Sequence, residues 1–157
     1  MRFRTSESPG MPRSSRRAVL AQALAATALG SMPRAVSAGE RGATDLSPER
    51  RWYEAAASMK RIAESWGDQP YGAVLVGGGT IIGYGPSRVV QRRDPTAHAE
   101  REAIRDAQRR LGQAGVAGSV LYSTSRPCRA CESAAAKAKV ARMIHGTELS
   151  DAGEPRE

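Results

Sequence analysis

The sequence predicts a three-layer α/β/α protein in which a mixed β-sheet lies between helices. Three patterns carry this prediction: an amphipathic helical pattern at 47–66, a hairpin pattern at 73–84, and two later strand patterns, each preceded by a helical one. A helix that joins two strands of one sheet usually makes a right-handed crossover, so the two strands run parallel. The chain of 157 residues fits one such domain, with the order α-β-β-α-β-α-β.

The first helix is marked at both of its ends. Ser47 is a good N-cap, Pro48 suits the first helical position, and Gly67 ends the pattern. The apolar residues at helical spacing are Trp52, Ala55, Ala56, Met59, Ile62, Ala63 and Trp66. Two short apolar runs follow at 73–76 and 80–84, and the three glycines between them predict a hairpin.

The second half of the chain alternates helices and strands. A helix is expected at 97–111, closed by Gly112, and a strand at 119–123. The apolar stripe of this helix consists of Ala99, Ala103, Ala107 and Leu111. A third helix begins at or just after Pro127, and the stretch ARMIHG supplies a fourth strand. The polar residues 150–157 are expected to form a disordered tail.

Residues 1–38 have the pattern of an export signal. Arg16 and Arg17 precede a run of twelve uncharged residues, 18–29, and small residues lead to a cleavage site near Ala38. The run is too short to span a bilayer, which needs about 20 residues. The stretch SRRAVLA resembles a twin-arginine signal, although two of its positions depart from the usual residues, so ordinary secretion stays open.

The predicted boundaries are an export signal at 1–38, a linker at 39–46, a folded domain at 47–149 and the tail at 150–157. We expect an exported protein, periplasmic or secreted, with no membrane span in the mature chain. The alternative is a disordered leader rich in Arg, Ser and Pro on a cytoplasmic protein.

The charge of the chain gives little support to a nucleic-acid partner. The net charge is +8, but residues 1–38 contribute +5 of it, because they hold six basic residues and one acidic residue. The remaining residues hold eighteen basic and fifteen acidic side chains, a mild excess for a soluble domain. Aromatic residues make up only 4% of the chain, so no platform for stacked bases is evident.

Three residues predict a metal site. His98 falls in the first turn of the second helix, and Cys128 and Cys131 fall in the first turn of the third. Residues three apart share a helix face, and the positive end of the helix dipole favours thiolates. One His and two Cys suit Zn²⁺, and three protein ligands leave the fourth position open, as in a catalytic site. His145, the only other histidine, is expected to have a packing or surface role.

The stretch PCRAC taken alone is equally consistent with a redox-active dithiol or part of a structural zinc site. Glu100 favours a reaction, because a carboxylate at the same helix N-terminus can move a proton from water to a substrate nitrogen. Glu100 taken alone could be simply an acid that favours a helix N-terminus. Together His98, Glu100, Cys128 and Cys131 reproduce the H-x-E…P-C-x-x-C signature of zinc deaminases.

From about residue 53 to 146 the chain resembles the cytidine/deoxycytidylate deaminase superfamily, and most closely the branch of guanine deaminases and tRNA adenosine deaminases. The stretches YGAVLV, DPTAHAE, AIRDA, LYSTS and PCRAC carry the resemblance. It implies loss of ammonia from a base or nucleoside, with one zinc per chain on His98, Cys128 and Cys131. It also implies proton transfer by Glu100 and backbone contacts near Ala97 and Cys128.

The chain departs from this family at three places. Arg126 stands before the Pro of PCRAC, where the family usually has Glu or Ser. Ser87 stands where that branch commonly carries an asparagine that reads base or ribose, and the resemblance implies substrate binding at this position and at Ala97. The fifth strand and the last helix that often complete the sheet are expected to be missing, and the exposed sheet edge that results could be covered in a homodimer.

Three functions follow from these observations. The first is an exported deaminase of a small base, nucleoside or related aminated heterocycle. The second is a nucleic-acid deaminase of the tRNA type, against which the charge argues. The third is an inactive zinc-binding member of the fold, which the intact Glu100 opposes.

Overall fold

The described part of the chain, residues 46–157, forms five strands, four α-helices and one short 3-10 turn in the computed structural model. The helices are α1 (Pro48–Ser65), α2 (Val89–Arg92), α3 (Ala99–Leu111) and α4 (Arg129–Lys137). The strands are β1 (Gly72–Gly77), β2 (Thr80–Pro86), β3 (Val120–Ser123), β4 (Arg142–His145) and β5 (Ser150–Gly153). The N-cap of α1 is Ser47, whose side chain accepts a hydrogen bond from the Arg50 N–H.

The strands form one mixed sheet in the order β2-β1-β3-β4-β5. Strand β1 is antiparallel to both of its neighbours, while β3 and β4 are parallel. Strand β2 is therefore parallel to β3 across the intervening β1, as a helical crossover between them requires. The predicted mixed sheet, with an antiparallel hairpin beside parallel strands, is confirmed.

The two faces of the sheet carry two separate apolar clusters, because successive side chains of a strand point to opposite faces. Val74, Val76 and Tyr122 pack with α1 on one face. Leu75 and Leu121 belong to the cluster on the other face, which includes α3 and α4. This arrangement confirms the three-layer α/β/α fold.

Helix α3 lies unusually close to β2 because glycines face it. A Cβ atom built on Gly83 would lie 2.2 Å from the carbonyl oxygen of Ala103, and one on Gly85 would lie 2.0 Å from that of Ala99. Ala99 and Ala103 are themselves fully buried. Small residues on both elements therefore fix the distance between the sheet and the first turns of α3.

The tail beyond residue 149 differs from the prediction. Residues 150–153 form β5, which runs antiparallel to β4, with Ile144 opposite Asp151. The predicted absence of a fifth strand, and with it a wholly disordered tail from residue 150, is therefore wrong. Backbone pairing does not need apolar side chains, and a polar edge strand carries no hydrophobic pattern. An Arg142–Asp151 ion pair spans the two strands.

Two predicted apolar positions are exposed instead. Trp66 is 42% exposed and holds the Arg88 guanidinium 4.5 Å from its ring centroid. Leu111 is 50% exposed in the last turn of α3, so the buried stripe of that helix ends at Ala107.

The predicted export signal and most of the predicted linker lie outside the described residues. Within residues 46–157, none of the helices combines the length and apolar character that a membrane span requires.

Candidate metal centre and active site

His98 is the N-cap of α3, which the chain enters from a tight loop. The Ala97 N–H donates to the carbonyl oxygen of Asp94 at 3.0 Å, and the Thr96 N–H donates to the Asp94 carboxylate at 2.8 Å. The imidazole is half-buried and makes no capping hydrogen bond with its side chain. The loop thus fixes the backbone of His98 and leaves its ring nitrogens for another partner.

The two cysteines occupy the corresponding position of α4. Cys128 is the N-cap of this helix, and Cys131 lies in the first turn, with its N–H bonded to the Cys128 carbonyl at 2.9 Å. The Cys131 thiol is fully buried, whereas Cys128 is exposed. The helix turn places both sulfur atoms on one side, toward His98.

The three ligand atoms form a nearly regular triangle. The two sulfur atoms are 3.5 Å apart, and Nδ1 of His98 lies 3.6 Å from the Cys128 sulfur and 3.5 Å from the Cys131 sulfur. Tetrahedral zinc, with bonds of about 2.3 Å to sulfur and 2.0–2.1 Å to nitrogen, requires separations of about 3.8 Å between sulfurs and 3.6 Å between sulfur and nitrogen. The residues present therefore fit zinc in both chemistry and size.

The environment of Cys131 favours a protonated thiol when no metal is bound. Burial raises its pKa well above the usual range, and the neighbouring Glu100 carboxylate raises it further. A thiol in that state is a weak nucleophile, which disfavours the redox-dithiol interpretation. A divalent cation reverses this effect, because a coordinating thiol is deprotonated.

Glu100 lies in the same site, in the first turn of α3. It is 4% exposed, and Oε1 accepts a hydrogen bond of 3.1 Å from the Ser123 hydroxyl. Its other oxygen, Oε2, lies 3.5 Å from the Cys131 sulfur. A buried carboxylate with one oxygen held by a donor and the other directed toward the ligands is more than a helix-end charge.

Sequence reasoning missed Ser123. Alternation along β3 puts Ser123 on the same face as Leu121, the face that packs against α3. A hydroxyl at the end of an otherwise apolar strand, facing the helix that carries a catalytic acid, was a signal that could have identified it.

A cavity of about 220 Å³ opens over the metal ligands. Its walls are formed by Gln69, Tyr71, His98, Ala99, Glu100, Ser125, Arg126 and Cys128. Drug-sized ligands occupy cavities of about 300–1,000 Å³, so this volume suits a single heterocycle. Arg126 makes no ion pair within 4 Å with any residue of the described range.

The two residues proposed from the sequence for substrate binding are not among these lining residues. Ser87 is fully buried, and its hydroxyl donates to Oδ1 of Asp68 at 2.8 Å. Ala97 is also fully buried, with its N–H bonded to Asp94 and its carbonyl oxygen bonded to the Arg88 N–H. Their backbones shape the loop before α3, and their polar groups are used within the protein.

A second buried carboxylate stabilises this loop. The side chain of Glu102 is 3% exposed and pairs with Arg92 at 2.9 Å and with Arg105 at 2.8 Å. Arg88 approaches to 3.9 Å. Arg88 and Arg92 come before the loop that ends at His98, and Arg105 comes after it, in α3. All three approach Glu102 of α3, so this carboxylate ties the loop to the helix.

The fold and this site define a class of protein: an α/β/α domain whose two helix N-termini bring together one His, two Cys and a buried Glu. Residues 46–147 match the family described as the cytidine and deoxycytidylate deaminase zinc-binding region. The chain belongs to this family. The ligand set and the family together identify zinc as the cofactor.

Curated relatives include two kinds of deaminase. The chain is 35% identical over 100 residues to a tRNA-specific adenosine deaminase of Buchnera aphidicola subsp. Schizaphis graminum, covering 64% of this chain and 66% of that protein. It is 40% identical over 85 residues to the guanine deaminase of Bacillus subtilis, covering 54% of each. The chain therefore spans between 54% and 66% of the length of these relatives.

Solved structures give the same two neighbours. A structure from work on A-to-I editing by tRNA:A34 deaminases is 38% identical with a TM-score of 0.58, covering 61% of this chain and 70% of that one. The structure of the Bacillus subtilis guanine deaminase is 32% identical with a TM-score of 0.56, covering 61% of this chain and 62% of that one.

Proposed function

We propose that this protein is a zinc-dependent hydrolytic deaminase that releases ammonia from a base, a nucleoside or a related aminated heterocycle. One observation carries the proposal. The carboxylate of Glu100 is buried in the wall of the same cavity as His98 and Cys128, within 3.5 Å of the Cys131 sulfur.

The chemistry divides between the metal and the chain. Bound zinc supplies Lewis-acid activation of a water molecule near neutral pH. His98, Cys128 and Cys131 would hold it, and Cys131 loses its thiol proton on ligation. With Cys131 as a thiolate, Oε2 of Glu100 would have no sulfur donor, while the Ser123 hydroxyl would still hold Oε1. Oε2 is therefore the oxygen free to move two protons in turn. It would take the first from water and deliver it to the ring nitrogen, then take the second from the hydroxyl group added to the ring and deliver it to the departing amine.

The size of the cavity favours a small substrate. A volume of about 220 Å³ accommodates one heterocycle and leaves little space for additional groups. The similarity to a guanine deaminase supports a free base or nucleoside as the substrate.

The second candidate is a nucleic-acid deaminase, which the similarity to tRNA-specific adenosine deaminases supports. Arg126 at the cavity wall, Lys60 and Arg61 in a neighbouring surface cavity, and Tyr71 shared between the two cavities would suit an anionic strand. Lys60 is partly neutralised by Glu64, 3.9 Å away.

The test is ammonia release by the purified zinc-loaded protein from bases, nucleosides and a tRNA transcript, each assayed separately. Turnover of bases or nucleosides supports the first candidate, and turnover of the transcript alone supports the second. Full zinc occupancy without turnover of any of them would support the inactive zinc-binding module and contradict the proposal.

The location and assembly of the protein are proposals that depend on sequence. We propose export directed by residues 1–38, carried by the arginine pair and the uncharged run 18–29. A homodimer remains a prediction from the family resemblance, and a sedimentation measurement tests it.

A further inference from the structure

Gln69 is a cavity residue whose backbone is fixed and whose side chain has no hydrogen-bond partner among residues 46–157. The Gln69 N–H donates to Oδ1 of Asp68 at 2.8 Å, and its carbonyl oxygen accepts from the Tyr71 N–H at 2.7 Å. Gln69 lines the cavity over the metal ligands, and its side-chain amide forms no hydrogen bond with any residue between 46 and 157. This amide is available to a ligand.

The loop that carries Gln69 is held by a buried anion. Asp68 is 8% exposed and accepts hydrogen bonds from the Ser87 hydroxyl and from the Gln91 N–H, both at 2.8 Å. Burial acts to raise the pKa of Asp68, but the hydrogen bonds from Gln91, Ser87 and Gln69 outweigh burial and lower it below its usual value. Asp68 is therefore a carboxylate at neutral pH and keeps its three donors in place.

The same contacts prevent Ser87 from binding the substrate through its side chain. Its hydroxyl is committed to Asp68, and its N–H is committed to the carbonyl oxygen of Tyr71 at 3.0 Å. The amide group expected at that position by family resemblance is missing, whereas an amide is present at Gln69 in the cavity wall. Among the lining residues, only Gln69 has a side-chain amide that could contact a substrate.

We infer that Gln69 determines which base this site accepts, by pairing its amide with an edge of the heterocycle that offers a donor beside an acceptor. This inference rests on the proposed function. A side-chain amide has both N–H donors and a carbonyl acceptor, so it can bind such an edge through two hydrogen bonds. Tyr71, 43% exposed in the same wall, offers an aromatic face for the ring.

Gln69→Leu tests the inference because it keeps similar bulk and removes both hydrogen-bonding functions. We would measure kcat and KM of the zinc-loaded variant for adenine, guanine and cytosine, each as free base and as nucleoside, together with equilibrium binding of each compound. For the preferred compound we expect kcat/KM to fall about 10- to 100-fold, mainly through KM. The preference between compounds should shrink toward equality, with unchanged zinc content.

Gln69→Glu is the second variant, because it keeps the acceptor and loses the N–H donors at neutral pH. This variant should weaken the binding of only those compounds that need a hydrogen-bond donor from the protein, so the order of preference changes. The matched control is Gln113→Leu, at a glutamine outside this cavity that pairs with Gln108. The control should keep both kcat/KM and the preference of the parent.

The equilibrium binding measurements distinguish failure of this inference from failure of the proposed function. A parent that binds a base and releases no ammonia contradicts the function, and loss of this binding in Gln69→Leu still supports the inference. A parent that deaminates while Gln69→Leu keeps its KM values and its preference overturns the inference alone. A parent that binds none of the six compounds also overturns it.

Discussion

The hydroxyl of Ser123 donates a hydrogen bond of 3.1 Å to Oε1 of Glu100, and both side chains are buried. Ser123 ends the central strand β3, and Glu100 lies in the first turn of α3. The bond therefore joins the sheet to the helix at the point where the proposed proton transfer occurs. A carboxylate held by one oxygen keeps the other in a constant direction, which proton transfer requires.

Ser123→Ala should lower kcat about 10- to 100-fold, because a hydrogen bond to a charged group contributes about 1.5–3 kcal/mol. KM and zinc content should stay within about twofold, since Ser123 contacts none of the three metal ligands and does not itself line the cavity. Steady-state kinetics and metal analysis on the same preparation measure both. Ser123→Thr keeps the hydroxyl and should recover most of the activity.

The control for Ser123 is a second buried serine. The hydroxyl of Ser119 donates to the carbonyl oxygen of Val116 at 2.6 Å, away from Glu100. Ser119→Ala should lower thermal stability and leave kcat close to that of the parent. If both alanine variants reduce kcat equally, Ser123 has only a structural role.

Glu100→Gln should keep the fold and the zinc and lose activity by about 10²–10⁴-fold, because an amide cannot carry the proton. Activity is measured by ammonia release, and zinc by metal analysis. Glu132→Gln is the matched control, because Glu132 is also an acid in the first turn of a helix and lies outside the cavity wall. Equal activity of the Glu100 variant and the parent would show that Glu100 is only a helix-end acid.

The purified protein should contain about one zinc per chain, and Cys131→Ala should remove most of it. Loss of one of three protein ligands leaves the ion on an exposed cysteine and a half-buried histidine. His145→Ala is the control, because His145 lies in β4 and is not part of the ligand cluster. Zinc content measured by metal analysis should be unchanged in that variant. A full complement of zinc in Cys131→Ala would refute the ligand assignment.

The sequence predicted the layers and the ligand set because both depend on local patterns. Helical spacing and strand alternation place the apolar side chains, and the positions of His98 and the two cysteines at helix N-termini follow from turn residues beside them. The order of elements then leaves few topologies, and the parallel pairing of β3 with β4 follows from one crossover.

The features that were missed depend on contacts between residues far apart in sequence or on strands without apolar side chains. The Asp68 carboxylate accepts a hydrogen bond from Ser87, which lies 19 positions later in the chain. Ser87 was expected to contact the substrate, and its hydroxyl instead makes this internal contact. Glu102 is buried because arginines surround it, which no local pattern indicates. Strand β5 is polar and is held by pairing with β4, so composition alone suggested disorder.

The predicted leader can be tested together with the zinc site. A twin-arginine signal exports a protein already folded, so Cys128 and Cys131 would bind zinc before they meet an oxidising compartment, and zinc thiolates resist disulfide formation. Arg16→Lys combined with Arg17→Lys should leave folded, zinc-loaded protein inside the cell, as cell fractionation would measure. The unaltered protein should be found outside, cleaved near Ala38. Undiminished export of the double variant would mean that the arginines are only a basic region of an ordinary signal.

Gly85→Ala should disturb the active site from the other face of α3. A Cβ atom at Gly85 would lie 2.0 Å from the carbonyl oxygen of Ala99, which follows the zinc ligand His98 directly. The helix must move to relieve this contact, and overpacking of this kind costs about 1–3 kcal/mol. Because a misplacement of about 1 Å can reduce a rate about 100-fold, activity should fall more than stability.

Zinc affinity, thermal unfolding and ammonia release measured on one preparation test this expectation. Gly77→Ala is the matched control, because the atoms nearest to a Cβ there all belong to the Ile82 side chain, and the nearest is its terminal Cδ1 at 3.0 Å. The control should unfold close to the parent temperature with unchanged activity. If Gly85→Ala binds zinc and deaminates like the parent, the close approach of β2 and α3 does not position His98, and the loop tied by Glu102 must position it instead.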